Sequence, residues 1–307
     1  MLRKMDKQST LNGLKAKSGN YKRYKGSPLR YAGGKSLAVG QILEKLPENI
    51  DSVMSPFMGG GSVEIAIAKE LQIPVSAYDV FDLLVNFWQE LLANNTGLAE
   101  KLETYSADRT TFGQIKTELT KHFKSIDLIS DPLELAAKYY FNHNTSYGPG
   151  FLGWPSSIYM NESKWQNFIA KIRQFDVPLL SVSQASFIDS IPNNFDSFIY
   201  ADPPYYLDGD SKMFKGIYPQ RNFPIHHNGF DHETLRDLLL KHKAGFLLSY
   251  NDCSTIREWY ADCEIYEPSW QYTMGQGETR IGANRLANQE THVKKSHELL
   301  IRKLPNG

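Results

Sequence analysis

The stretch Ile50-Asp51-Ser52-Val53-Met54-Ser55-Pro56-Phe57-Met58-Gly59-Gly60-Gly61-Ser62 decides the fold. Residues 50–55 read as a short strand that runs into a proline-aromatic corner and a glycine triplet. A helix follows over 63–71, with Ile65, Ala66, Ala68 and Leu71 at apolar positions, and Pro74 stops it. Val75-Ser76-Ala77-Tyr78 is the next strand, and it ends on Asp79. Strand, glycine turn, helix, strand and acid make a βαβ unit with a right-handed crossover.

Downstream the character changes. Amphipathic helical pieces at 98–105, 112–123 and 132–141 lead into an irregular stretch, 142–161, rich in Asn, Gly, Pro and aromatics. Strand and helix then alternate again, with strands expected at 196–201, 245–249, 263–266 and 298–303 and a helix at 231–242. Short apolar strands separated by helices indicate an α/β, doubly wound sheet covered on both faces. The expected organisation is a basic N-terminal arm (1–27), a sheet domain (28–90 and 185–307) and an inserted, mainly helical domain (91–184).

Composition fits a soluble globular chain: 307 residues, 41% hydrophobic and 22% charged. No window approaches the roughly 18 apolar residues of a membrane span. The first 31 residues lack the apolar core of a signal peptide, and the two cysteines, Cys253 and Cys263, form no CxxC pair. Both facts point to a reduced, cytoplasmic setting. Formal net charge is zero, yet residues 1–35 carry ten Lys and Arg against Asp6 alone. That arm reads either as a phosphate-contacting segment or as a disordered, solubilising tail.

Two further features carry chemistry. The glycine triplet sits where an α/β sheet binds ligands, at the carboxyl end of its first strand, and Asp79 is placed to accept hydrogen bonds from ribose hydroxyls. Together they suggest an adenosine-containing cofactor. Farther on, Asp202-Pro203-Pro204-Tyr205 follows the apolar run Ser197-Phe198-Ile199-Tyr200-Ala201. An acid, a rigid turn and an aromatic face suit a flat ring bearing an amino group. Other chemistries fail on spacing. Ala32-Gly33-Gly34-Lys35-Ser36 lacks the earlier glycine of a P-loop, the histidines show no HExxH pattern, and no GxSxG elbow occurs. No metal is expected.

Read together, three segments resemble the Dam-like (D12 class, alpha-group) N6-adenine DNA methyltransferases. They are Pro28-Leu29-Arg30-Tyr31-Ala32-Gly33-Gly34-Lys35, Pro56-Phe57-Met58-Gly59-Gly60-Gly61-Ser62-Val63 and Asp202-Pro203-Pro204-Tyr205. Their order, with about one hundred residues inserted before the third, is that of the alpha group. The resemblance implies S-adenosyl-L-methionine as methyl donor, S-adenosyl-L-homocysteine as product, a seven-stranded sheet and an inserted target-recognition domain. It places Tyr31, Ala32, Gly33 and Lys35 at the donor's methionine end. Pro56, Phe57, Gly59, Gly61 and Ser62 would form the cofactor loop, and Asp79 would hold the ribose. Phe187 and Asp189 would contact the donor's adenine. Asp202, with Pro203, Pro204 and Tyr205, would face donor and target base. Ser55 departs from the family, which commonly has Asp or Glu there, so one expected anchor for the donor's amino group is absent. The run Phe141-Asn142-His143-Asn144-Thr145-Ser146-Tyr147-Gly148 departs from GATC-specific members.

The implied reaction is methylation of adenine N6 at a specific site in double-stranded DNA, in a bacterial or phage setting, with a restriction endonuclease as a cellular partner. Adenine N6 is a poor nucleophile. Hydrogen bonds to Asp202 and the Pro203 carbonyl would orient it, and Tyr205 would stack on the flipped base. Asn142, Asn144, Tyr147, Lys212, Lys215 and Arg221 are candidate DNA contacts, as is the stretch Thr279-Arg280-Ile281-Gly282-Ala283-Asn284-Arg285. Two alternatives stay open: an RNA adenine or protein amide methyltransferase of the same fold, and a binding module without activity. Asp202 speaks against the amide branch, which more often carries Asn.

Overall fold

A computed structural model describes residues 7–17, 19–125, 129–147, 150–206, 230–268 and 298–305. Its centre is a seven-stranded sheet of β1 (Val53–Ser55), β2 (Val75–Asp79), β5 (Leu180–Gln184), β6 (Phe198–Ala201), β7 (Phe246–Asn251), β8 (Glu264–Tyr266) and β9 (Glu298–Lys303). The spatial order is β5-β2-β1-β6-β7-β9-β8. A separate two-stranded ribbon joins β3 (Ser146–Tyr147) to β4 (Trp154–Pro155). The first five strands of the sheet order run parallel, while β9 is antiparallel to both β7 and β8. This mixed α/β architecture with a mainly parallel sheet is consistent with the expected methyltransferase fold.

From β1 the chain moves outward through β2 to β5, then returns to place β6 on the other side of β1. The strand order therefore reverses between β1 and β6, and a crevice opens there at the carboxyl ends. Alternation along each strand covers both faces. Val53, Phe198, Tyr200 and Leu247 enter one apolar cluster, whereas Met54, Ile199, Ala201 and Leu248 enter the other.

The first cluster also takes α2 (Val39–Lys45), α3 (Ser62–Glu70), α4 (Asp82–Ala93), α5 (Asn95–Glu103), α6 (Arg109–Ser125), α7 (Pro132–Thr145) and α8 (Glu162–Arg173). The second takes α9 (Phe187–Asn193), α10 (His232–Lys241) and α11 (Ser254–Trp259). Asp131 caps α7 by accepting from the Leu133 amide, with Pro132 in the first turn. Residue 91 falls inside α4, and β5, at the end of the segment 91–184, pairs with β2 in the central sheet.

Two expectations need correction. Residues 7–14 form α1 (Lys7–Leu14) rather than a disordered tail. Leu11 is buried, Thr10 donates to the Glu70 carbonyl, and the Lys7 ammonium binds the carbonyl of Leu46. The stretch from Asn142 is helical to Thr145 rather than irregular, because its polar side chains find buried partners. No helix among the described residues is long and apolar enough to cross a membrane.

Candidate active site

Asp202 leaves the end of β6 at the mouth of the crevice. Lys35, from the turn ahead of α2, donates to both its oxygens, at 2.7 Å and 2.8 Å, and to the Gly33 carbonyl at 3.3 Å. Burial alone would lower the Lys35 ammonium, but the carboxylates of Asp202 and Glu298 outweigh it and hold the group above the ordinary lysine range. Burial also pushes the Asp202 carboxyl up, and Lys35 holds part of that back. Tyr205 is buried, with its ring 5.1 Å from the Lys35 ammonium and 6.2 Å from the Tyr250 ring. Pro203 is buried and Pro204 half-buried between these two functional side chains.

The glycine loop is latched from every side. The Gly59 amide donates to Asp79 Oδ2 at 3.0 Å, and the Phe81 amide donates to the other Asp79 oxygen. Trp88 Nε1 reaches the Gly59 carbonyl at 3.1 Å, and the Ser27 hydroxyl reaches that of Gly60 at 2.6 Å. Gly59 and Gly61 have φ of +45° and +65°, which glycine adopts without strain. Tyr31 lies against the loop so closely that a Cβ on Gly60 would stand 2.5 Å from the Tyr31 Cβ. The other face of Tyr31 stacks on His143, with ring centres 5.7 Å apart. Burial pushes the Asp79 carboxyl up, and the backbone amides of Phe81, Gly59 and Val80 hold part of that back. Ala32, Gly33 and Ser62 are half-exposed around this loop, and Pro56 is buried beneath it.

Beside the loop, three aromatic rings meet. Phe57 lies 5.9 Å from Phe187 and 5.7 Å from Phe230, and the last two are 5.1 Å apart. Asp189, in the first turn of α9, is exposed. Phe230 and His232 belong to Phe230-Asp231-His232-Glu233, a run that matches the family pattern weakly and takes no site role from sequence alone; His232 bonds the Tyr250 hydroxyl through Nδ1 and is pushed down to about 4 by burial.

Two buried acids also went unread. Glu64, in the first turn of α3, accepts from the Ser55 hydroxyl at 2.7 Å, and Glu298 opens β9. Burial raises each carboxyl to about 7. The Ser55 departure therefore coincides with an acid nine residues on, bonded to that serine. A lone Glu inside Val63-Glu64-Ile65, or heading Glu298-Leu299-Leu300, is the signal that could have revealed them.

The candidate DNA contacts divide sharply. Asn142 and Asn144 are fully buried. Asn142 Oδ1 accepts from the Leu152 amide, and Asn144 accepts from the Arg30 amide and donates to the Pro28 carbonyl. Base contacts by these two side chains are not what the geometry offers: Asn142 ties α7 to residue 152, and Asn144 ties it to the 28–30 strap. Arg30 itself donates to the carbonyls of Asn144 and Ser146 at the helix end. Tyr147 is 72% exposed, and its cross-strand partner Trp154 is 77% exposed. Lys212, Lys215, Arg221 and the stretch 279–285 lie outside the described residues. Among those described, no group of His, Cys, Asp or Glu is arranged to hold a metal ion.

Comparison with known proteins identifies the family. Residues 31–274 match the model of the D12 class N6 adenine-specific DNA methyltransferase family. The chain is also similar to the modification methylase StsI of Streptococcus sanguinis, with 26% identity over 215 residues, which is 64% of this chain. It spans only 31% of that relative's length. With that family match running over most of its length, the chain belongs to the D12 class of N6 adenine-specific DNA methyltransferases.

Proposed function

We propose that this chain transfers a methyl group from S-adenosyl-L-methionine to N6 of a flipped-out adenine at a specific site in double-stranded DNA, leaving S-adenosyl-L-homocysteine. The observation that carries the reading is the position of Asp202, at the switch between β1 and β6, beside the latched glycine loop and the Phe57–Phe187–Phe230 cluster.

The residues fit such a donor. A cluster of three aromatics suits a purine, and Asp79, at the end of β2 and bonded to the Gly59 amide, is an acceptor placed for ribose hydroxyls. Tyr31, Ala32, Gly33 and Lys35 border the loop on the side of Asp202, where the methionine end belongs. Asp189, exposed near Phe187, would reach the purine edge. When bound, the donor supplies an electrophilic methyl on sulfonium sulfur.

The chain's own part is positioning. An Asp202 oxygen and the Pro203 carbonyl accept the two amino hydrogens of adenine and aim its nitrogen lone pair. Pro203 and Pro204 fix the turn, and Tyr205 bears on the base from a buried seat. The helical segment 91–184 would serve as the recognition domain, presenting Tyr147 and Trp154 to DNA, with Lys212, Lys215 and Arg221 as added contacts. Asn142 and Asn144 would act by holding that surface in place. The likeness to a modification methylase supports a cytoplasmic enzyme paired with a restriction endonuclease.

The test is tritiated methyl transfer to mixed DNA and RNA, followed by expression in an unmethylated bacterial host and genome-wide mapping of N6-methyladenine. A single methylated DNA motif is expected. Labelled RNA with unlabelled DNA would overturn the reading.

A further inference from the structure

At the switch between β1 and β6, one face of the sheet gathers four buried side chains: Ser55, Tyr200, Glu64 and Lys35. Met54 is in register with Ile199, so Ser55 stands beside Tyr200 at the carboxyl ends of the two strands. Alternation turns both side chains to the face that α2 and α3 cover, the face Val53 also serves. Glu64 reaches this face from the first turn of α3, and Lys35 from the turn ahead of α2. The Ser55 hydroxyl donates to Glu64 Oε1 at 2.7 Å.

Charge does not balance there. The groups acting on the Tyr200 hydroxyl are Asp202, Glu64 and Glu298 against Lys35, three carboxyls and one ammonium among the described residues. Asp202 already binds that ammonium with both oxygens, at 2.7 Å and 2.8 Å, and the Tyr205 hydroxyl donates to Glu298. Glu64, only 3% exposed, keeps neutral donors: the Ser55 hydroxyl and its own backbone amide. The Tyr200 hydroxyl, on a side chain 1% exposed, has no hydrogen-bond partner among the described residues. A buried carboxyl without a cation beside an unpartnered hydroxyl suits a ligand with one positive charge and several N–H donors, which describes an alkylammonium.

We infer that Glu64, oriented by Ser55, binds the ammonium at the donor's methionine end, with the Tyr200 oxygen as a second acceptor. The inference rests on the donor reading above and gives one functional group of that donor its residue. Without a cation beside it, Glu64 is raised by burial to about 7 and holds its proton for part of the time near neutrality. An arriving ammonium favours the carboxylate, so the carboxyl proton passes to solvent as the donor enters, and no other bond changes.

The test is titration calorimetry of the full chain with S-adenosyl-L-homocysteine and with its deaminated analogue, in which hydrogen replaces the amino group. Glu64→Gln should raise the Kd for the first by about tenfold or more and that for the second by no more than about twofold. Ser55→Ala should act in the same direction and less strongly. Between about pH 5.5 and 7.5, where an α-amino group stays charged, the parent's affinity for S-adenosyl-L-homocysteine should rise with pH. Proton release, read from the dependence of binding heat on the buffer, should accompany it and shrink in Glu64→Gln. Lys35, Asp202, Tyr200 and Glu298 face the same space and remain in the variant, so the difference between the two proteins isolates Glu64. Equal losses for both ligands, parental affinity in Glu64→Gln, or the same proton release in both proteins would each overturn the inference and leave the donor reading standing. Failure of the parent to bind either ligand would overturn the donor reading as well.

Discussion

The Ser55 hydroxyl donates to Glu64 Oε1 at 2.7 Å, joining the end of β1 to the first turn of α3 across the glycine loop. The pair keeps a carboxyl at a point where the chain lacks the acid its family commonly carries. Being buried, this carboxyl is pushed up to about 7, chiefly by desolvation.

That shift has a direction in stability. A carboxyl whose folded value lies above its unfolded one holds its proton more tightly when folded. Its contribution is complete below the unfolded value of 4.5 and is lost as pH rises through about 7. Glu64→Gln, which mimics the protonated form, should match the parent in thermal denaturation at about pH 4, below the unfolded value. By pH 8 it should be the more stable protein, by an amount on the order of 3 kcal/mol at most. An equal difference at both pH values would refute the assignment.

Gly60→Ala tests the close approach of Tyr31. The added Cβ would meet the Tyr31 Cβ at 2.5 Å and its Cγ at 3.0 Å, and neither atom is the free end of a flexible chain. The loop or the 28–35 strap must shift, at a cost of about 1–3 kcal/mol. Denaturant unfolding should show that loss, and titration calorimetry should show weaker S-adenosylmethionine binding. Unaltered stability would mean that the strap yields freely.

On the proposed function, Asp202→Ala removes the acceptor for the target amine and the paired carboxylate of Lys35. Methyl transfer should fall by about 10²-fold or more, while donor affinity, which the proposed function assigns to the glycine loop, Asp79 and the aromatic trio, should largely survive. Filter-binding methylation assays paired with calorimetry separate the two quantities. Normal turnover would remove Asp202 from the mechanism.

Much of this was readable from sequence because it is local. The βαβ unit announces itself through Pro56-Phe57, three glycines and a terminal acid within thirty residues, and β1, β2 and α3 stand where that pattern puts them. What escaped is nonlocal or sits at an edge. β5 reads Leu-Ser-Val-Ser-Gln, apolar only at alternate positions because one face of this edge strand is exposed, so it resembles loop. The end of α7 looks irregular because Asn142, His143 and Asn144 are helix-poor residues. They are kept by partners such as Pro28 and Arg30, more than 110 positions away for His143 and Asn144. Glu64 and Glu298 are single acids in apolar runs, and only the sheet brings them to Lys35.

The ribbon of β3 and β4 supplies the last prediction. Antiparallel partners in register project to the same face, so Tyr147 and Trp154 stand side by side. Both are more than two-thirds exposed, an expensive arrangement for two large rings unless something covers them. Lys116 binds the Gly153 carbonyl at 2.9 Å and lies 5.0 Å from the Trp154 ring, adding positive charge to the same surface. Aromatic faces beside a lysine suit unstacked bases and phosphates, each ring contributing about 1–3 kcal/mol. Tyr147→Ala and Trp154→Ala should therefore each weaken DNA binding by about tenfold in fluorescence anisotropy, with thermal stability and donor affinity unchanged. Asn144→Ala should do the reverse. It removes the acceptor of the Arg30 amide and one of two donors to the Pro28 carbonyl, so it should lower stability by about 1–3 kcal/mol and affect DNA only through that loss. If Asn144→Ala altered sequence preference in a stable protein while the two aromatic variants bound DNA normally, the recognition surface would lie elsewhere.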